Sequence, residues 1–278
     1  GIEVLDEVEA LTGNVRVLGA TAYLRRLYQA LDEAGYGDRI MIDKMVGKTE
    51  VALYGLAYSI GMLVQLFISG MNSALTPWMY SKIKKGDIRS MRKVLQLLSV
   101  VVVGIAVALM LISPELVLIF GSPKYREAVY VIPPVAASVF FIFIYNILSM
   151  PQFYYEKTQF LMAASMAAAG ANVVLNFIFI RLFGYIAAGY TTLACYMLYS
   201  VGHYIVSKRI LVNEGIQENL MSPGFLVACS VFLIGASIIC NLIFPYRILR
   251  YAILLASAGL VFWKKELLQK TMADIRKK

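Results

Sequence analysis

Long runs of apolar residues without a charged side chain recur along this chain of 278 residues. A helix needs about 20 apolar residues to cross a bilayer core of about 30 Å, and six runs reach that length. They are Val51–Ser81, Val94–Pro114, Ala128–Tyr155, Thr158–Ile180, Leu182–Ser207 and Asn219–Tyr246. A seventh segment, Arg247–Trp263, would reach about 25 Å as a helix, which suffices if its arginines extend to the interface. The sequence therefore predicts about seven membrane spans.

The composition excludes a soluble domain. Apolar residues make up 60% and charged residues 15% of the chain, against about 45–50% and about 25% in ordinary globular domains. A particle of this mass cannot hide so much apolar surface. Membrane strands do not account for it either, because they alternate in polarity, whereas Val94–Ser113 is apolar on every face. The predicted fold class is all-α, a polytopic bundle of transmembrane helices.

Basic residues indicate how the bundle is oriented. The net charge is +9, and the loop Ser81–Lys93 alone carries six basic residues and one acidic residue. One basic residue follows the third run, two follow the fifth, and six lie in the tail after Trp263. Because basic loops stay inside, we expect a multi-pass protein of the bacterial cytoplasmic membrane with a cytoplasmic C-terminus. This reading explains the positive charge without a nucleic-acid partner.

The first 37 residues differ from the rest. They carry six acidic and three basic residues and no run of membrane length, and Thr21–Ala34 has the apolar spacing of an amphipathic helix. The composition changes at Gly37–Asp38, which divides the chain into 1–37, soluble in character, and 38–278, a membrane lobe. The first part is either a cytoplasmic or interfacial lead-in or foreign sequence. Because the chain opens with Gly1, we expect a trimmed start or a fragment.

Candidate functional residues are the polar ones in or beside the apolar runs, since charges near a membrane core usually have a function. Asp38, Arg39, Asp43 and Lys44 precede the first run. They form either a charged patch at a cavity mouth, where a cation meets an anionic substrate, or a solvated segment in which Arg39 pairs with Asp43.

Further polar residues lie within the runs at helical spacing. Gln65 and Asn72 fall in the first run, and Asn172 and Asn176 in the fourth. They either line a solvated path or form hydrogen bonds between helices. The chain has no Walker motif, dinucleotide fingerprint, HExxH or GxSxG, and its cysteines have no paired spacing. We expect no enzymatic activity, no catalytic residues, no cofactor and no metal site.

Two stretches resemble polysaccharide flippases of the multidrug/oligosaccharidyl-lipid/polysaccharide exporter superfamily. ANVVLNFIFIRLFGYIAAGYTTLACYML (Ala171–Leu198) is similar to that family's asparagine-rich helix, Phe-Gly turn and small-residue helix. The stretch Asp38–Asp87, with its Asp-Arg pair, Leu-Tyr-Gly helix opening and P-W-x-Y exit, is similar to the start of the family's second half.

The resemblance implies one lobe, the C-terminal one, of a fourteen-helix transporter with two lobes around a central cavity. It implies transport of undecaprenyl-diphosphate-linked oligosaccharides by alternating access, for O-antigen, capsule or exopolysaccharide synthesis. Asp38, Arg39, Asp43, Lys44, Gln65, Asn72, Asn172 and Asn176 are the candidate substrate-binding residues. Implied partners are the lipid-linked sugar, membrane lipid, the missing lobe or a second copy, and polysaccharide assembly proteins.

Other functions remain open at this point. A drug/cation antiporter or a lipid II flippase belongs to the same superfamily, and an inactive truncated membrane fragment is a further possibility. An antiporter should have a titratable carboxylate deep within a span, and none of the six long runs contains one. That absence counts against proton-coupled drug export.

Overall fold

The computed structural model describes residues 37–263, except for the side chains of Met162 and of 257–263. Within that range it is helical, without strands. The helices are α1 (37–45), α2 (Lys48–Gly61), α3 (Leu63–Lys84), α4 (Ile88–Phe120), a 3-10 helix (Pro123–Tyr130), α5 (Ile132–Tyr154), α6 (Gln159–Phe183), α7 (Ala187–Asn213), α8 (Pro223–Ile243) and α9 (Arg247–Trp263). The all-α fold class is therefore confirmed. The predictions for 1–36 and for the basic tail lie outside the described residues.

Five segments are long and apolar enough to cross a membrane: Lys48–Lys84, Ile88–Phe120, Ile132–Tyr154, Gln159–Phe183 and Pro223–Ile243. The segments α7 and α9 are helices but do not meet that test of length and composition. The total of about seven membrane spans thus stays a prediction. The first predicted span consists of two helices, since α2 ends at Gly61 and α3 begins at Leu63.

The centre of the bundle is α5. Of the apolar stretch of membrane length in α5, 94% is buried inside the bundle, against 17% of the corresponding stretches in α6 and in α8. Pro133 and Pro134 lie in its first turn, where backbone N–H groups have no partner within the helix. The fully buried rings of Phe140, Phe143 and Tyr145 fill the space between α5 and its neighbours. The remaining helices therefore pack around α5.

A proline inside α4 is compensated locally. Pro114 has no N–H to donate to the carbonyl oxygen of Met110, four residues earlier. The hydroxyl of Ser113 donates to that oxygen instead, at 2.8 Å. The helix therefore continues through Pro114 to Phe120 without leaving a buried acceptor unpaired.

The basic loops meet at one end of the bundle. Between α3 and α4, Lys82 Nζ lies 2.5 Å from Asp87 Oδ2, and Asp87 Oδ1 accepts from the backbone N–H of Ser90 as the N-cap of α4. The hydrogen bond from Lys82 lowers the pKa of Asp87 to about 2. Arg92 Nε donates to the carbonyl oxygen of Asn219 at 2.7 Å, which joins this turn to the connection between α7 and α8. These two connections therefore share a membrane face, which we call the basic face.

The contact between α2 and α5 depends on Gly61. A Cβ atom at this position would lie 2.6 Å from Val135 Cγ1 and 3.0 Å from Val135 Cβ. Gly61→Ala should therefore destabilise the bundle by about 1–3 kcal/mol, the usual range for overpacking, as measured by thermal unfolding in detergent. Gly70→Ala on α3 is the control, because an added Cβ there meets nothing within 4 Å. Equal melting temperatures for both variants would contradict the close contact.

Candidate functional site

A buried carboxylate lies where α1, α2, α6 and α7 meet. Asp38 is only 1% exposed. Three side chains donate hydrogen bonds to its carboxylate. Tyr54 Oη lies 2.6 Å and Thr192 Oγ1 3.1 Å from Asp38 Oδ2, while Asn176 Nδ2 lies 2.5 Å from Asp38 Oδ1. One carboxylate thus connects α1 to three other helices.

A second layer of polar side chains supports Asn176, which is fully buried. Its Nδ2 also lies 3.0 Å from Asn172 Oδ1, and its Oδ1 accepts a hydrogen bond from the hydroxyl of Thr191. We call Asp38, Tyr54, Asn172, Asn176, Thr191 and Thr192 the Asp38 network. The hydrogen bonds between α6 and α7 agree with the interhelical role that is one of the two interpretations of the asparagines.

The local sequence explains this convergence. Asn172 and Asn176 are four residues apart and therefore lie on the same face of α6. Gly184 has φ 74°, a conformation that favours glycine, and it ends α6 immediately before α7. Antiparallel helices joined by so short a turn place residues at equal distances from the turn side by side. Asn176, eight positions before Gly184, and Thr191, seven positions after it, meet for this reason.

The Asp38 network lies within the bundle, below the membrane face that is opposite the basic face. Asn176 precedes the end of α6 at Phe183 by seven residues, which corresponds to about 10 Å along a helix. Ion pairs such as Lys82–Asp87 and Arg250–Glu115 form elsewhere in the bundle, and no cationic side chain of 37–263 pairs with Asp38. A buried charge is costly unless it is compensated, and hydrogen bonds alone leave its full negative charge in place.

The chemistry of the network suits a proton or a hard monovalent cation. Its side chains present carboxylate, amide and hydroxyl oxygens, the ligands that hard cations prefer. Among the described residues, no group of three or more His, Cys, Asp or Glu side chains could hold a metal ion. A transition-metal centre has no set of donors in this part of the chain.

Three of the eight candidate residues converge on this site: Asp38, Asn172 and Asn176. Asp38 precedes the first apolar run in the sequence, and in the structure its side chain is buried among α2, α6 and α7. Asp43 and Lys44 are exposed on the other side of α1. In the described part of the chain Asp43 pairs with no cation, so the Arg39–Asp43 pair that the spacing permits is not formed.

The remaining candidates lie elsewhere. The guanidinium of Arg39 packs over Gly55 of α2, and its Nε is buried without a partner among the described residues. Gln65 and Asn72 lie on α3, where the Gln65 Oε1 atom is likewise buried and unpaired. The eight residues therefore do not form one cluster.

Sequence reasoning did not single out Tyr54 and Thr191. A signal for Thr191 was present, because the Phe-Gly turn fixes which positions of α6 and α7 are neighbours. Tyr54 had no such signal, since its contact with Asp38 depends on how α2 folds back on α1.

Comparisons with known proteins agree with a membrane transporter. A family model described as MatE matches residues 36–178, just over half of the chain. A Haemophilus influenzae protein described as an uncharacterized membrane protein is 32% identical over 130 residues, which cover 44% of this chain and 31% of the relative. The matching part of the chain thus spans about a third of that relative. No solved structure matches.

Proposed function

Because the chain belongs to the MatE family of membrane transporters, we propose that it forms one lobe of an ion-coupled flippase for undecaprenyl-diphosphate-linked oligosaccharides. The observation that carries the ion coupling is the buried carboxylate of Asp38, which no cationic side chain of the described residues neutralises. The substrate follows from the resemblance of Asp38–Asp87 and Ala171–Leu198 to polysaccharide flippases. A second lobe, from the remainder of a longer protein or from a second copy, would complete the cavity.

Coupling through Asp38 has a simple physical basis. Each oxygen of this carboxylate accepts from a side chain on another helix, so its charge sets how firmly α1 is held. A bound proton or cation cancels that charge and weakens the bonds that Tyr54, Asn176 and Thr192 donate to it. Because alternating access requires helices to change their packing, an ion at this site would bias the lobe toward one of two arrangements.

Arg39 is the group we assign to the diphosphate. It directly follows Asp38, it is only half buried, and its Nε has no partner within 37–263. A guanidinium presents several N–H donors in a geometry that matches phosphate oxygens. Lys44, exposed on the same helix, adds positive charge at the entrance.

Asp38 also favours a second function, drug/cation antiport. The sequence argument against it was that no apolar run contains a carboxylate. The structure weakens that argument, because α1 supplies a carboxylate that is enclosed by α2, α6 and α7. The two functions share the coupling site and differ in the cargo.

Deleting the gene in its own host distinguishes the candidates. Loss of surface polysaccharide with accumulation of lipid-linked oligosaccharide on the cytoplasmic leaflet is the expected result. Normal polysaccharide with increased sensitivity to cationic drugs would indicate the antiporter instead. Loss of viability with arrested wall synthesis would indicate a lipid II flippase, and no phenotype an inactive fragment.

A point substitution tests the phosphate assignment. Arg39→Ala should abolish surface polysaccharide while the protein stays at its normal level in the membrane, because the substrate loses its cationic partner. Arg126→Ala is the matched control, since Arg126 is exposed at the end of the bundle that lies opposite the basic face. Normal polysaccharide in the Arg39 variant would contradict the assignment.

A further inference from the structure

An apolar groove opens between α5, α7 and α8, toward the basic face. Its walls include Phe140 and Phe141 of α5, Met197 and Val201 of α7, and Leu226 and Val227 of α8. It encloses about 170 Å³, slightly more than the roughly 150 Å³ of an apolar cavity that accepts benzene. Val201 and Val227 are 57% and 61% exposed, so the groove opens toward the bilayer. A short stretch of acyl chain has the right size and polarity for it.

The groove adjoins a second pocket, which is more polar. Tyr204 lines the groove and also borders a pocket of about 460 Å³ that is formed with Lys208, Arg209 and Asn213. Lys208 and Arg209 are exposed, and neither pairs with a carboxylate of the described residues. From Met197 to Lys208 the path along α7 covers about 16 Å. The two pockets thus connect the membrane interior to its interface.

Polar groups at the junction lack partners. Tyr204 Oη and Ser207 Oγ are buried without a hydrogen bond to any described residue. Arg92, which is held in place by the carbonyl oxygen of Asn219, adds positive charge at this end of the bundle. A purely apolar occupant would leave these hydroxyls unsatisfied, at a cost in free energy.

The geometry points to a binding site for one anionic phospholipid of the bilayer. One of its acyl chains lies in the groove, and its phosphate is bound by Lys208 and Arg209, next to Tyr204. Such a molecule satisfies the apolar walls and the cationic end together. The bound lipid fills the space beside α8, whose apolar stretch is only 17% buried, and thereby holds α8 against α5 and α7. This site is independent of the proposed transport function.

Native mass spectrometry of the full chain in detergent tests this site. The purified protein is titrated with dioleoylphosphatidylglycerol or dioleoylphosphatidylcholine, and the fraction that retains one lipid is measured. We expect phosphatidylglycerol to bind more tightly, and Lys208→Gln with Arg209→Gln to lower its affinity about 25-fold, at about fivefold per basic residue near an anionic lipid. Lys84→Gln with Lys85→Gln is the matched control, since both lysines are exposed on the basic face, and it should leave the affinity unchanged.

The acyl part of the site needs its own variant. Val201→Trp places a large ring in the groove at an exposed position, and it should weaken phosphatidylglycerol binding without changing the charge. Equal retention of the two lipids by the wild-type protein would overturn the proposal. So would equal losses in the Lys208/Arg209 variant and its control, or equally tight binding of glycerol phosphate, which has no acyl chain. Protection of the groove from lipid by residues 264–278 in cross-linking experiments would also overturn it.

Discussion

Asp38→Asn is expected to abolish ion-coupled transport while the protein remains folded in the membrane. The amide has nearly the shape of the carboxylate but carries no charge, so the network loses the group that attracts a proton or cation. Interactions with a charged group contribute about 1.5–3 kcal/mol, which corresponds to at least about a tenfold loss of ion affinity. Ion-driven transport by the complete transporter in proteoliposomes measures the effect.

Two comparisons separate this effect from misfolding. Asp43→Asn on the same helix removes one exposed carboxylate, and it should transport at the wild-type rate. The melting temperature of the Asp38 variant should stay close to that of the wild type, because the weaker hydrogen bonds to an amide are offset by the lower cost of burying an uncharged group. Transport by Asp38→Asn at the wild-type rate would rule out Asp38 as the coupling site.

The second large effect concerns a clamp between α4 and α9. Arg250, which is 3% exposed, binds Glu115 through two hydrogen bonds of 2.8 Å, and its Nη1 also donates to the carbonyl oxygen of Leu111 at 2.6 Å. Tyr251 Oη donates to Glu115 at 2.9 Å. Glu115→Ala would leave the buried guanidinium without its counter-charge, and we expect a loss of about 3 kcal/mol in stability.

Thermal unfolding in detergent measures this loss. Glu127→Ala removes an exposed carboxylate at the same end of the bundle and should have little effect. Glu115→Leu combined with Arg250→Met removes both charges and should recover most of the stability, since a buried pair is often replaceable by apolar side chains. A double variant as unstable as Glu115→Ala alone would show that the clamp does not act through charge.

The sequence predicted the helices far better than the site. Apolar runs of membrane length determine spans almost by themselves, because every backbone group in lipid must be paired within its own helix. The environment of Asp38 depends instead on helices that are distant in the chain: Asn176 follows it by 138 positions and Thr192 by 154. In the sequence Asp38 belongs to a charged segment, since Arg39, Asp43 and Lys44 follow within six positions. This local pattern does not distinguish it from a solvated residue.

The same limitation applies to Arg250. Its sequence surroundings suggest an arginine that extends to the interface, whereas in the structure it is enclosed beside Glu115. Local hydropathy does not distinguish a charged side chain that faces solvent from one that faces a partner on another helix. Asn172 and Asn176 were the exception, because their spacing and the nearby turn together define a face of α6.

The enclosed position of α5 has a consequence for how the protein is made. Helices that leave the ribosome in order enter the bilayer before their later neighbours exist, so α5 first meets lipid and only afterwards α6, α7 and α8. A helix designed only for the interior of the finished bundle would be free to carry more polar side chains. Despite its nearly complete enclosure, α5 is still long and apolar enough to cross a membrane, which fits a segment that has to be acceptable to two surroundings in succession.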